Sequence, residues 1–136
     1  MVLEVEIMKI DIIDGLLLTS VTIEYQARVK TVDRVVVDTG ASHTILSSDA
    51  VSDLGIAFKT GDIIIESHGI GGSDYAFQKK VDNIHFADYT LQGCYLDFGQ
   101  LQWGNLNGLI GLDVLLAGSF VIDLKQMEIY STIFDA

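Results

Sequence analysis

The chain alternates apolar and polar positions with a period of two along most of its length. Leu3, Val5 and Ile7 alternate with Glu4 and Glu6, and Val21-Thr22-Ile23-Glu24-Tyr25 repeats the pattern. Both read as half-buried strands. Val35-Val36-Val37 is instead a continuous apolar run that stops at Asp38-Thr39-Gly40. It predicts a strand buried on both faces and ended by a tight turn. Ile63-Ile64-Ile65 opens a further strand, and Tyr75 to Lys79 forms its return. His68-Gly69-Ile70-Gly71-Gly72-Ser73 lies between them as a glycine-rich tip. Val81 to Phe86 and Leu91 to Phe98 predict two more strands. Leu109-Ile110-Gly111 is a short apolar strand, with Leu112 to Ala117 after it as a short helix. Phe120 to Leu124 and Met127 to Tyr130 predict a hairpin around Lys125-Gln126. A second short helix is expected to begin at a Ser47 or Ser48 cap and to close at Gly55 after Leu54. Val, Ile and Thr together supply 36 of the 136 residues, a composition suited to pleated surfaces.

Length and composition narrow the class. Residues 1–136 are expected to form one domain, long enough for a hydrophobic core. With 49% hydrophobic residues the chain is not a disordered acidic tail. A net charge of -11 argues against nucleic acid and against anionic membranes. No apolar stretch reaches the roughly 20 residues of a spanning helix. The start of the chain lacks a signal-peptide pattern, so a cytoplasmic location is expected. One cysteine, Cys94, allows no internal disulfide and reads as a small buried hydrophobe.

Most signatures of chemistry are missing. There is no phosphate-binding Gly-Lys-Ser/Thr loop, no Gly-x-Ser-x-Gly elbow, and Asp74 stands where a dinucleotide fingerprint needs its third glycine. His43, His68 and His85 are too scattered in sequence for a zinc motif. What remains is Asp38-Thr39-Gly40-Ala41-Ser42, delivered by an apolar strand, followed by the Gly69–Gly72 tip and later by Leu109-Ile110-Gly111. Asp113 reads as a helix cap, His43 as structural or exposed, and Tyr75 as a packed strand residue ahead of a substrate contact. Trp103 could line a pocket or a dimer surface.

This ordered set resembles the retropepsin-like aspartic proteases, single-domain relatives of pepsin that include the retroviral enzymes. The resemblance runs from about Val21 to Ile129. It implies an all-β, closed barrel-like domain with one or two short helices. It also implies an aspartic endopeptidase with Asp38 as catalytic residue, supported by Thr39 and Gly40. Ala41 and a flap tip of Gly69, Ile70, Gly71 and Gly72 would contact substrate, and Leu109-Ile110-Gly111 would pack behind the catalytic loop. No metal or organic cofactor is implied. Peptide hydrolysis by carboxylates needs two of them sharing a water and one proton. This chain has one Asp-Thr-Gly, so the second carboxylate must come from a homodimer. The partners expected are therefore a second copy and a peptide or protein substrate. The segments flanking the motifs are longer than in the compact retroviral enzymes, and the Phe120–Tyr130 hairpin is the candidate dimer contact. The alternative is a catalytically silent dimerisation or peptide-binding module of the same fold.

Overall fold

A computed structural model describes residues 7–69 and 72–133 of the chain. In order, the strands are β1 (Met8–Lys9), β2 (Asp11–Ile13), β3 (Leu16–Tyr25), β4 (Arg28–Val37) and β5 (Ile45–Ser47). After a single 3-10 turn at Ser52–Leu54 come β6 (Ile64–Gly69), β7 (Gly72–Lys80), β8 (Asn83–Phe86), β9 (Tyr89–Gln92), β10 (Tyr95–Gly99) and β11 (Gly108–Ile110). The helix α1 (Leu112–Ala117) and the hairpin β12 (Phe120–Asp123) and β13 (Glu128–Ser131) complete the fold. The alternation at Leu3 and Val5 lies outside the described residues.

The main sheet has ten strands in the order β6-β7-β10-β5-β11-β4-β3-β8-β9, with β2 added against β3. A smaller sheet has the order β1-β13-β12. The expected fold class holds, but the closed barrel does not. Among the described residues β6 pairs only with β7 and β9 only with β8, so the ends of the sheet do not meet. The small sheet covers the core near one of these ends: Ile129 is fully buried, and the Phe120 ring meets Phe86 and Tyr89 edge-on at 5.1 and 6.0 Å. Aromatic pairs favour this edge-to-face geometry.

β4 shows how the pattern becomes structure. It lies between β3 and β11, antiparallel to one and parallel to the other. Its run is buried on both faces as expected: Val35 and Val37 enter the main core, while Val36 joins a second apolar cluster on the opposite face. Val32 also enters the main core, although strict alternation would turn it away from Val35. A bulge resolves this. The register steps from Thr19↔Val35 to Val21↔Val32, with Arg34 in the left-handed region at φ 51. The extra residue lets Val32, Val35 and Val37 share a face.

Two other expectations change. Leu91–Phe98 is not one strand. Gly93, at φ 62, turns the chain between β9 and β10 and donates its N–H to Asp82 O at 2.9 Å. The helix from Ser47 or Ser48 shrinks to the 3-10 turn, because Ser47 is the last residue of β5 and pairs with Gly99 of β10. Gly55 does close that turn, at φ 84. The helix at Leu112–Ala117 and the terminal hairpin form where the sequence predicts them. Among the described residues, no helix is long and apolar enough to cross a membrane.

Gly108 marks the tightest junction of the central strands. Its φ is 148, and a Cβ there would collide with Ile45 O and approach Leu46 Cα at 2.9 Å. Gly15 also has positive φ, at 77, but a Cβ there meets nothing within 4 Å. Urea unfolding should therefore show a loss of about 3 kcal/mol for Gly108→Ala. Gly15→Ala should lose only about 1 kcal/mol.

Candidate active site

The Asp38 turn begins where β4 ends. Asp38 N donates to Ile110 O at 2.9 Å, so the neighbouring strand β11 fixes the entry to the turn. The carboxylate folds back: Gly40 N donates to its Oδ1 at 2.9 Å, an Asx-type turn in which a side chain replaces a backbone acceptor. Ala41 N donates to Asp38 O at 3.3 Å and completes the reversal. Asp38 is half-buried, Thr39 and Gly40 are exposed, and Ala41 packs against the second apolar cluster.

The turn is held from behind by Gly111 and α1. Leu112 N donates to Ala41 O at 2.8 Å, and Asp113 N donates to Ser42 O at 3.2 Å. At Gly111 a Cβ would lie 2.7 Å from His43 O and 2.9 Å from Ala41 O, so any side chain would push the turn away. Leu109-Ile110-Gly111 thus packs behind the Asp38 turn, as the resemblance implied.

Thr44, fully buried, links the two segments. Its Oγ1 donates to Asp113 Oδ1 at 2.6 Å and accepts from Gly111 N at 3.0 Å. Its backbone N–H donates to Asp113 Oδ2 at 2.9 Å. Asp113 Oδ1 also accepts from Val114 N at 2.8 Å. The expected helix cap is therefore corrected: Gly111 occupies the cap position, and Asp113, in the first turn, serves mainly to anchor Thr44.

The family model of the aspartyl proteases matches residues 19–114, from β3 through this anchor. The chain belongs to the aspartyl protease family. No curated protein matches it. Among solved structures it is similar to a retropepsin-like aspartic protease from Rickettsia conorii, with a TM-score of 0.63 at 18% identity. The match covers 93% of this chain and 89% of that one. At that identity the likeness shows the fold, which is retropepsin-like.

Within this aspartyl protease fold the remaining predicted residues are dispersed. Gly69 and Gly72 form the last described rung of the β6–β7 hairpin; Ile70 and Gly71 lie outside the described residues. His43 is exposed, as expected. Tyr75 is not packed but 72% exposed. Trp103 is half-buried in the second apolar cluster, and its Nε1 has no hydrogen-bond partner. Cys94 packs at the edge of the main core, where burial pushes its thiol upward.

Two residues of this region gave no signal in the sequence. Thr44 is one. Asp97 is the other: it is 6% exposed, in the middle of β10. Burial raises its carboxyl above the usual aspartate range; the Gln78 amide and the His43 ring pull it down, and Asp113 pushes it up. The native state then holds this proton longer than the unfolded chain does. Asp97 accordingly lowers stability as pH rises from the ordinary aspartate range through its raised value.

The anchor is testable. Thr44→Val removes the donor to Asp113 and the acceptor for Gly111 N while keeping the shape. It should cost about 2–4 kcal/mol in denaturant unfolding, the penalty for stranding buried polar groups. Thr44→Ser keeps the hydroxyl and should lose only about 1 kcal/mol, for one buried methyl.

Proposed function

We propose that the chain is an aspartic endopeptidase that acts as a homodimer, with one Asp38 from each subunit sharing the attacking water. The observation that carries this reading is the Asp38 turn itself. Gly40 N holds one carboxylate oxygen at 2.9 Å, and no other hydrogen bond to the carboxylate forms among the described residues. One oxygen is oriented and the other is left for chemistry.

In the dimer the two carboxylates hold one proton between them, because two such charges in contact cannot both ionise. The ionised member takes a proton from water as it attacks the scissile carbonyl. The protonated member donates to the carbonyl oxygen. Thr39 braces the paired turns, and Gly40 and Ala41 let substrate backbone come close. The β6–β7 hairpin, with the Gly69, Ile70, Gly71 and Gly72 tip, supplies the flap. An extended peptide pairs with its strands by β-augmentation. The contact between subunits uses the β12–β13 hairpin. β12 is the edge of the small sheet, and Val121 within it and Leu124 just after it are exposed.

The test is a peptide library digested by the purified protein and read by mass spectrometry, with sedimentation to follow assembly. Asp38→Asn should lower cleavage roughly a thousandfold or more while leaving the fold and the dimer intact. Mixed dimers with a single mutant subunit should be as inactive as the double mutant. Cleavage by Asp38→Asn at the wild-type rate, or half activity in the mixed dimer, would contradict the proposal.

A further inference from the structure

We propose that Asp97 is a specificity residue that receives a lysine or arginine side chain of the substrate. The inference rests on the endopeptidase reading above and names the substrate class for it.

Leu18 pairs with Val36, Val36 with Leu109, Leu109 with Ile45, Ile45 with Asp97, and Asp97 with Gln78. Directly paired residues lie on the same face of a sheet. The row therefore crosses six strands on one face. That face is not the main core: Leu96 and Phe98, the neighbours of Asp97 in β10, point to the core and are 1% and 0% exposed. Leu18, Val36, Leu109, Ile45 and Ala76 form the second apolar cluster, and Ala41 of the Asp38 turn packs onto it. An apolar row, buried in the single chain, thus runs beside the Asp38 turn and ends in a carboxylate and an amide.

This carboxylate has no permanent cation of its own. Among the described residues, Asp97 makes no ion pair with a lysine or arginine. Its polar neighbours are the Gln78 amide, the His43 ring and Asp113, whose oxygens are engaged with Thr44. The His43 ring offsets only part of the cost of burying this carboxylate, and a substrate cation would relieve the rest on binding. Lysine and arginine suit the rest of the row, since their aliphatic stems pack on apolar side chains while the charged end reaches further. The net charge of -11 favours cationic peptides at longer range. Strands are spaced roughly 4.8 Å apart and an extended peptide advances roughly 3.4 Å per residue. Asp97 lies three strands from β4, so the cation belongs about two to four residues from the scissile bond, allowing for its own length.

The test begins from cleavage sites found with the peptide library. At each of these positions, lysine is compared with norleucine, its uncharged isostere. For the wild type, kcat/KM should favour lysine by roughly tenfold or more at one position, the scale of a charge-assisted contact. Asp97→Asn should bring that ratio close to one, and Asp97→Lys should turn the preference toward glutamate. A structural role would lower both rates together and leave the ratio unchanged, which would overturn the proposal. A crystal structure of the Asp38→Asn dimer with the lysine peptide keeps Asp97 native, in case the Asp97 variants fail to fold. The ammonium should lie within 4 Å of Asp97, and its placement elsewhere would overturn the proposal. Wild-type cleavage with no lysine preference overturns this inference alone, whereas no cleavage of any peptide overturns the endopeptidase reading and this one with it.

Discussion

The hydrogen bonds of Thr44 to Asp113 and Gly111 are the constraint on which the rest of the site depends. A turn that exposes a half-buried carboxylate has few contacts of its own, and among the described residues the Asp38 carboxylate receives only the N–H of Gly40. Its position is set from behind. Thr44 ties the strand leaving the turn to the start of α1, through one buried hydroxyl and one carboxylate. Gly111 allows the two segments to touch, because even a methyl group there would displace the carbonyls of Ala41 and His43. The strength of the arrangement comes from complete pairing, since buried polar groups stabilise a specific geometry only when each has its partner.

The same logic separates Asp113 from Asp97. Both are acids close to Thr44. Asp113 accepts three hydrogen bonds and works as structure. Asp97 is more thoroughly buried than its partners justify, and burial raises its carboxyl accordingly. A carboxylate buried in this way weakens the folded state as pH rises through its raised value, a cost that proteins carry where a group serves another purpose. Here the apolar strip beside the Asp38 turn indicates what that purpose is.

Much of this was legible in the sequence. Val35-Val36-Val37 running into Asp-Thr-Gly described an interior strand and its turn, because a strand covered on both faces must be apolar at every position. Leu112–Ala117 and the terminal hairpin were equally plain. The helix at Ser47 was misread because its cap signal is local, while Ile45, Leu46 and Ser47 are claimed by β10 and β11 on either side. The bulge at Arg34 leaves no local mark, since the left-handed φ of 51 falls on an arginine and not on a glycine or asparagine that would signal it. Asp97 was invisible for a different reason. Between Leu96 and Phe98 it looks like the solvent side of an amphipathic strand, and only the register of distant strands reveals what shares its face.

The central claim is that one chain holds half of a catalytic centre. The most direct measurement is the separation of the two Asp38 carboxylates in a crystal structure of the dimer. The account predicts that they face each other across the two-fold axis, within hydrogen-bonding distance or bridged by a single water. Asp38 side chains far apart in every two-fold assembly would contradict it.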